Sequence, residues 1–209
     1  NQLTSLDVSG CGNLERLSCY NNQISSLAIL SLKLLKELDF DDNQMLYLDI
    51  SGCENIRELS CKGNPWISIK VSDCYSLAWV DFNNQQLKSM SISNCPEISS
   101  LGFGNAQISS LELSDLSVLF MTFSLTEIIN SLKVTNCTEL KHLDCSSLQL
   151  DALIIKDCPN LSTLACEYNK LNDLDVSGLT NLSSLSCAHN QLSSLNVSSL
   201  INLTSLSCD

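Results

Sequence analysis

The side chains that could do chemistry in this chain of 209 residues are two histidines, 23 carboxylates and 12 cysteines. His142 and His189 stand 47 residues apart. His142 shares an exposed stripe with Asp144, but no nucleophile sits at hydrogen-bond spacing, so each histidine reads as a surface side chain and not as a general base. Asp39, Asp41 and Asp42 could offer oxygens to calcium. The EF-hand spacing, with its glycine and final glutamate, is absent, and an acidic, solvated strand edge is the simpler reading. No C-x-x-C pair or Cys/His cluster has the spacing of a zinc site, and no phosphate loop, zincin motif or nucleophile elbow occurs. The residues predict a protein that is not an enzyme and has no metal or cofactor.

Charge narrows the partners. Acidic residues outnumber basic ones 23 to 11, giving a net charge of -12, and no Lys/Arg-rich run occurs. Nucleic acid and anionic membranes both require clustered positive charge and are excluded as expected partners. No apolar stretch reaches the roughly 20 residues of a membrane span, which predicts no membrane insertion.

The elements that must position these side chains follow from a strict period. Leu14, Leu35, Ile56, Leu77, Ile98, Leu119, Leu140, Leu161, Leu182 and Leu203 are 21 residues apart. The column Leu6, Leu27, Leu48, Ile69, Met90, Leu111, Leu132, Leu153, Leu174 and Leu195 keeps the same step, as does the branched column from Val8 to Val197. Such self-similarity over residues 1–209 predicts one domain, a solenoid in which each coil buries its apolar side only against its neighbours.

Each unit reads L-x-x-L-x-C-x-x-N-x-L, as in Leu14, Leu17, Cys19, Asn22 and Ile24, followed by Leu27-x-Ile29 with the same in-out spacing. The first part is the leucine-rich-repeat signature. The nested pattern resembles the short bacterial leucine-rich repeats of the IRREKO class. That resemblance implies about ten parallel coils of 21 residues, strands on two sides, little or no α-helix, and a bacterial protein that is extracellular or displayed at the cell surface. At about 4.8 Å per coil the rod would be roughly 45–50 Å long. The chain starts and stops inside a repeat. It is therefore expected to be uncapped at both ends, an excised piece whose open ends leave end-to-end self-association available.

Alternation points Leu17 and Cys19 inward and Ser18 and Tyr20 outward. The cysteines fall into two columns, shared with Leu32, Leu116, Leu179 and Leu200 in one and with Phe40, Phe82 and Phe103 in the other. Cys thus acts as a small buried hydrophobe, and parallel Cβ vectors on adjacent rungs disfavour disulfides. Asn1, Asn22, Asn43, Asn64, Asn169 and Asn190 fit amides that satisfy main-chain groups at a turn. The column fails at Gln85, Ala106, Glu127 and Leu148, through either drift or a functional distortion. Near residue 119, strict counting puts Thr122 and Ser124 in apolar columns and Met121, Phe123 and Leu125 in water. A shift of one residue corrects the parity. It predicts a coil shortened by one between Leu113 and Val118, with a compensating bulge between Ile128 and Leu132.

Recognition must use outward positions, because the inward ones are consumed by packing. The L-x-x-L-x-V side carries an almost uniform column of serines. The opposite stripe varies coil by coil, with Arg16, Tyr20, Asp39, Asp41, Lys62, Trp79, Asp81, His142 and Asp144 as the candidate ligand-binding residues. The expected function is non-enzymatic binding of a protein or glycan. The alternatives are a rigid spacer and the recognition part of a larger enzyme.

Overall fold

The computed structural model describes residues 1–209 apart from 31, 84, 99 and 124–127, and apart from the side chains of 81 and 100. Among the described residues, ten strands line the L-x-x-L-x-C side. The first five are β1 (Arg16–Ser18), β2 (Glu37–Asp39), β4 (Glu58–Ser60), β6 (Trp79–Asp81) and β8 (Ser100–Gly102). The second five are β10 (Phe120–Thr122), β12 (His142–Asp144), β14 (Thr163–Ala165), β15 (Ser184–Ser186) and β16 (Ser205–Ser207). The other side holds one six-stranded sheet of β3 (Tyr47–Asp49), β5 (Ser68–Ser72), β7 (Gln86–Ser93), β9 (Gln107–Ser114), β11 (Ile128–Thr135) and β13 (Ala152–Lys156). Every pairing is parallel, and no helix occurs among the described residues. The molecule is a parallel β-solenoid of the leucine-rich-repeat type.

Among the described residues, strands on the second side are confined to six central coils, a narrower distribution than the repeat implied. Leu27-Ala28-Ile29 and Leu174-Asp175-Val176 have the spacing of Leu48-Asp49-Ile50 and bury Ile29 and Val176, yet they form no ladder among the described residues. Inward side chains form one continuous cluster from Val8 to Leu200. Each buried Leu or Ile contributes about 1.5–3 kcal/mol relative to exposure, supplied jointly by its own coil and the two beside it.

The asparagines act as the turn residues that the column predicted. Asn43 donates through Nδ2 to the carbonyls of Cys19 (3.0 Å), Phe40 (3.1 Å) and Asp41 (3.1 Å), and its Oδ1 accepts from the N–H of Ile24 (3.0 Å). Asn64, Asn169 and Asn190 repeat the pattern. Where the column fails, the backbone is satisfied in other ways. In the coils of Gln85, Ala106 and residue 127 the second-side strands start earlier, at Gln86, Gln107 and Ile128, and run for eight residues, so sheet bonds take up main-chain groups there, while the Gln85 amide keeps one bond, from Nε2 to the carbonyl of Asn83 (3.3 Å). Leu148 instead donates its N–H to Oδ1 of Asn169 in the next coil (3.1 Å).

A second corner is built from left-handed residues. Asp73, Asn94, Asp115, Asn136 and Asp157 occupy consecutive coils with φ between 51° and 55°. Asn and Asp tolerate this region better than other residues with side chains. Asn94 donates to Asp73 (2.7 Å) and Asn136 to Asp115, so donor and acceptor alternate along the column.

The coil at residue 119 is shifted as its parity required. Phe120 pairs with His142 and Met121 with Leu143, a step of 22 residues, whereas the other ladders keep 21. Met121 is 4% exposed and Val118 is buried. Phe123 packs half-buried on the core, its ring stacked 5.9 Å from Phe103, which in turn stacks on Phe82. The placement of Ser124 and Leu125 lies outside the described residues. The expected bulge between Ile128 and Leu132 is corrected. Ile128 already pairs with Gln107 in the ordinary register and Leu132 with Leu111, so the register is restored before that segment begins. The slip divides the first side, since β8 ends one sheet and β10 begins the next, with no ladder between them among the described residues.

Candidate binding surface

The outward stripe of the first sheet forms a trough. Arg16, Glu37, Glu58 and Trp79, one per coil at the first strand position, make one wall. Ser18, Asp39 and Ser60, two residues along, make the other. Alternate positions on a strand stand about 6.6 Å apart, and the main chain of Leu17, Leu38 and Leu59 forms the floor between them. The trough holds about 840 Å³ and runs along the stack, across the strands. Trp79 is 49% exposed and closes its far end.

Pairing within the trough decides which charges a ligand would meet. Arg16 bridges to Glu37 at 3.0 Å, both solvated, which makes the pair weak and exchangeable. Ser18 Oγ donates to Asp39 (3.2 Å). Asp41 is committed elsewhere. Its carboxylate accepts from the hydroxyl of Ser60 (2.9 and 2.8 Å) and the N–H of Lys62 (2.6 Å), tying one coil to the next. It therefore reads as a junction between coils more than as a ligand contact. Tyr20, 60% exposed, belongs to a neighbouring hollow at the first coil, and Lys62 is exposed in the turn two residues beyond β4. Asp81 lies on β6, and its side chain is outside the description.

His142 and Asp144 do not join this group, because they belong to the second sheet, beyond the slip. The His142 ring lies flat on Phe120, with centroids 4.7 Å apart and planes 2° apart. Asp144 accepts from the N–H of Ser146 (3.1 Å). His189 stacks on Tyr168 at 4.4 Å. Both imidazoles serve as flat rings in stacks. Sequence reasoning missed Arg57, which lies just before β4 at the trough edge. It also left Glu37 and Glu58 off the candidate set, although their outward positions were readable from the alternation.

None of the twelve cysteines is in a disulfide, and ten of them are buried. The exceptions, Cys11 and Cys208, correct the expectation that every inward cysteine is covered. They lie on the first and last coils of residues 1–209. Burial pushes the Cys145 thiol well up and the Cys166 thiol up to about 12, so neither supplies a thiolate for chemistry near neutral pH. A thiol-reactive disulfide reagent is expected to find two fast thiols in the folded protein and twelve in denaturant without reductant. A total well below twelve would show that disulfides bridge the columns.

No family model and no curated protein matches the chain. Solved structures do. The functional domain of InlJ from Listeria monocytogenes, which includes a cysteine ladder, is 19% identical over 100% of this chain, with a TM-score of 0.42, and this chain spans 61% of it. A leucine-rich-repeat protein of Leptospira interrogans is 19% identical over 100% of this chain and 70% of its own, with a TM-score of 0.44. YopM from Yersinia enterocolitica is 18% identical over 93% of this chain and 60% of its own, with a TM-score of 0.34. These are likenesses of fold, and the fold that the chain's own ladders establish is a leucine-rich-repeat β-solenoid.

Proposed function

We propose that the chain is a non-enzymatic recognition module for a protein, and that the trough of the first sheet receives an extended segment bearing basic side chains. One observation carries this reading: Glu37, Glu58 and Asp39 outnumber Arg16 and Arg57 in one groove that ends on the exposed indole of Trp79. Carboxylates along a groove attract a cationic chain, and an indole face adds cation–π attraction for Arg or Lys. Coils repeat at about 4.8 Å, so a segment laid along the axis can present a side chain to each coil in turn. The chain's own charge of -12 favours approach of a basic partner and resists self-association along this face. The nested repeat further suggests an IRREKO-like bacterial protein working outside the cell, with residues 1–209 as a single repeat domain.

Arginine- and lysine-rich peptides, titrated by calorimetry at low and moderate salt, test the proposal. Trp79→Ala is expected to cost about 2 kcal/mol of binding, as central aromatic anchors do, and Ser89→Ala almost nothing. Ser89 lies on the opposite sheet, bonded to Ser68 (2.9 Å). Equal and negligible effects of the two substitutions would favour the spacer reading, and Trp79-dependent binding of a neutral glycan instead would move the reading to sugars.

A further inference from the structure

The slip between β8 and β10 leaves a cavity of about 120 Å³ on the same face as the trough. Leu101, Phe103, Val118 and Met121 line it, and Phe120 and Thr122 stand at its lip. Three features mark it as more than a packing defect. First, the coil before it carries Gly102 at the outward end of β8 and Gly104 in the turn that follows, so neither position supplies a side chain over the opening. Second, Phe120 is 63% exposed, an unusual state for phenylalanine, and is held upright by its coplanar stack on His142. A ring stacked on one face by a neighbour and bordering a cavity is a fixed plate that can stack on something else. Third, the site follows the Trp79 end of the trough directly, since Trp79 pairs with Ser100 of the coil that bounds the cavity.

The space is close in size to one flat ring, since a cavity of about 150 Å³ holds benzene, and it is open on one side. We infer that the cavity is an anchor socket for a single aromatic side chain of the partner whose basic segment occupies the trough. The inference rests on the recognition reading above and adds to it a specificity element: basic residues opposite Glu37 and Glu58, then an aromatic residue beyond Trp79. The one-residue slip is what creates the socket, because regular stacking would have closed the ladder between β8 and β10. Buried aromatic anchors of this kind dominate the energetics of many protein interfaces.

Indole and p-cresol are the probes for the test, titrated into methyl-labelled protein and followed through the resonances of Leu101, Val118 and Met121. Saturable shifts centred on these three methyl groups are expected. Thr122→Trp, a change at a solvent-facing position that covers the lip, should abolish them, and Phe120→Ala should weaken binding at least fivefold. Melting temperatures of both variants serve as the check that they fold. No saturable shift up to the solubility limit overturns the inference, as does binding that is unchanged in both variants. The trough reading fails separately. Basic peptides that bind with Trp79 dependence, but no more tightly when they carry an aromatic residue, overturn the socket alone. Probe binding to the cavity without any peptide binding overturns the trough alone.

Discussion

Asn43→Ala is expected to destabilise the solenoid by about 3–5 kcal/mol, among the largest effects of any single substitution here. The amide has one buried main-chain donor and three carbonyls as partners, and it is itself 1% exposed. Alanine would leave the N–H of Ile24 and at least one carbonyl unpaired in a place that water reaches poorly, at about 1–3 kcal/mol each. Trp66 is a built-in reporter. It is buried, packs edge-on against Phe40 at 5.9 Å, and donates its indole N–H to the carbonyl of Cys61 (3.0 Å). Urea unfolding followed by its fluorescence should show the loss. Asn55→Ala removes an exposed bond to the carbonyl of Lys33 and should stay within about 0.5 kcal/mol. Comparable midpoints for the two variants would refute the structural role of the Asn column.

The second large effect is alkaline destabilisation. Burial holds Cys145 and Cys166 in the thiol form in the folded protein, far above the 9.0 of a free thiol. Between the two values the unfolded chain gives up protons that the folded one keeps, so stability falls as pH rises. The contribution is intact below about pH 8.5 and is lost progressively toward pH 12, at about 1.4 kcal/mol per pH unit for each fully buried thiol. Urea midpoints under reductant should therefore drop steeply between about pH 8.5 and pH 10.5. The double variant Cys145→Val, Cys166→Val should show a shallower drop, because all other side chains are common to both proteins. Equal slopes would mean that the thiols ionise without cost.

Much of this was legible in the sequence, for a physical reason. A solenoid repeats its environment every 21 residues, so a column of like side chains reports burial directly, and even the slipped coil was exposed by the wrong parity of Met121 and Phe123. The compensating residue was misplaced because its position depends on which turn yields, and no column of the repeat records that. The limits of the second-side sheet were unreadable for a similar reason. Leu27-Ala28-Ile29 and Leu48-Asp49-Ile50 have the same pattern, and only the neighbouring coil decides whether the main chain pairs. At the candidate surface, alternation identified the outward residues but not their commitments. Asp41 looks like a free carboxylate until Ser60 and Lys62 of the next coil are seen to occupy it. The socket arises between coils and has no signature within one.

The alternating corner of Asp73, Asn94, Asp115, Asn136 and Asp157 bears on how such an array can be lengthened or shortened. Each amide separates two carboxylates, so the true period of this corner is 42 residues and not 21. Removal of the single coil that carries Asn94 would set Asp73 against Asp115 in adjacent left-handed turns, while removal of two coils would leave every neighbour as it was. Growth by duplication, whether by recombination or by design, is therefore favoured in paired coils across this segment and tolerated singly only where the corner is glycine, as at Gly52.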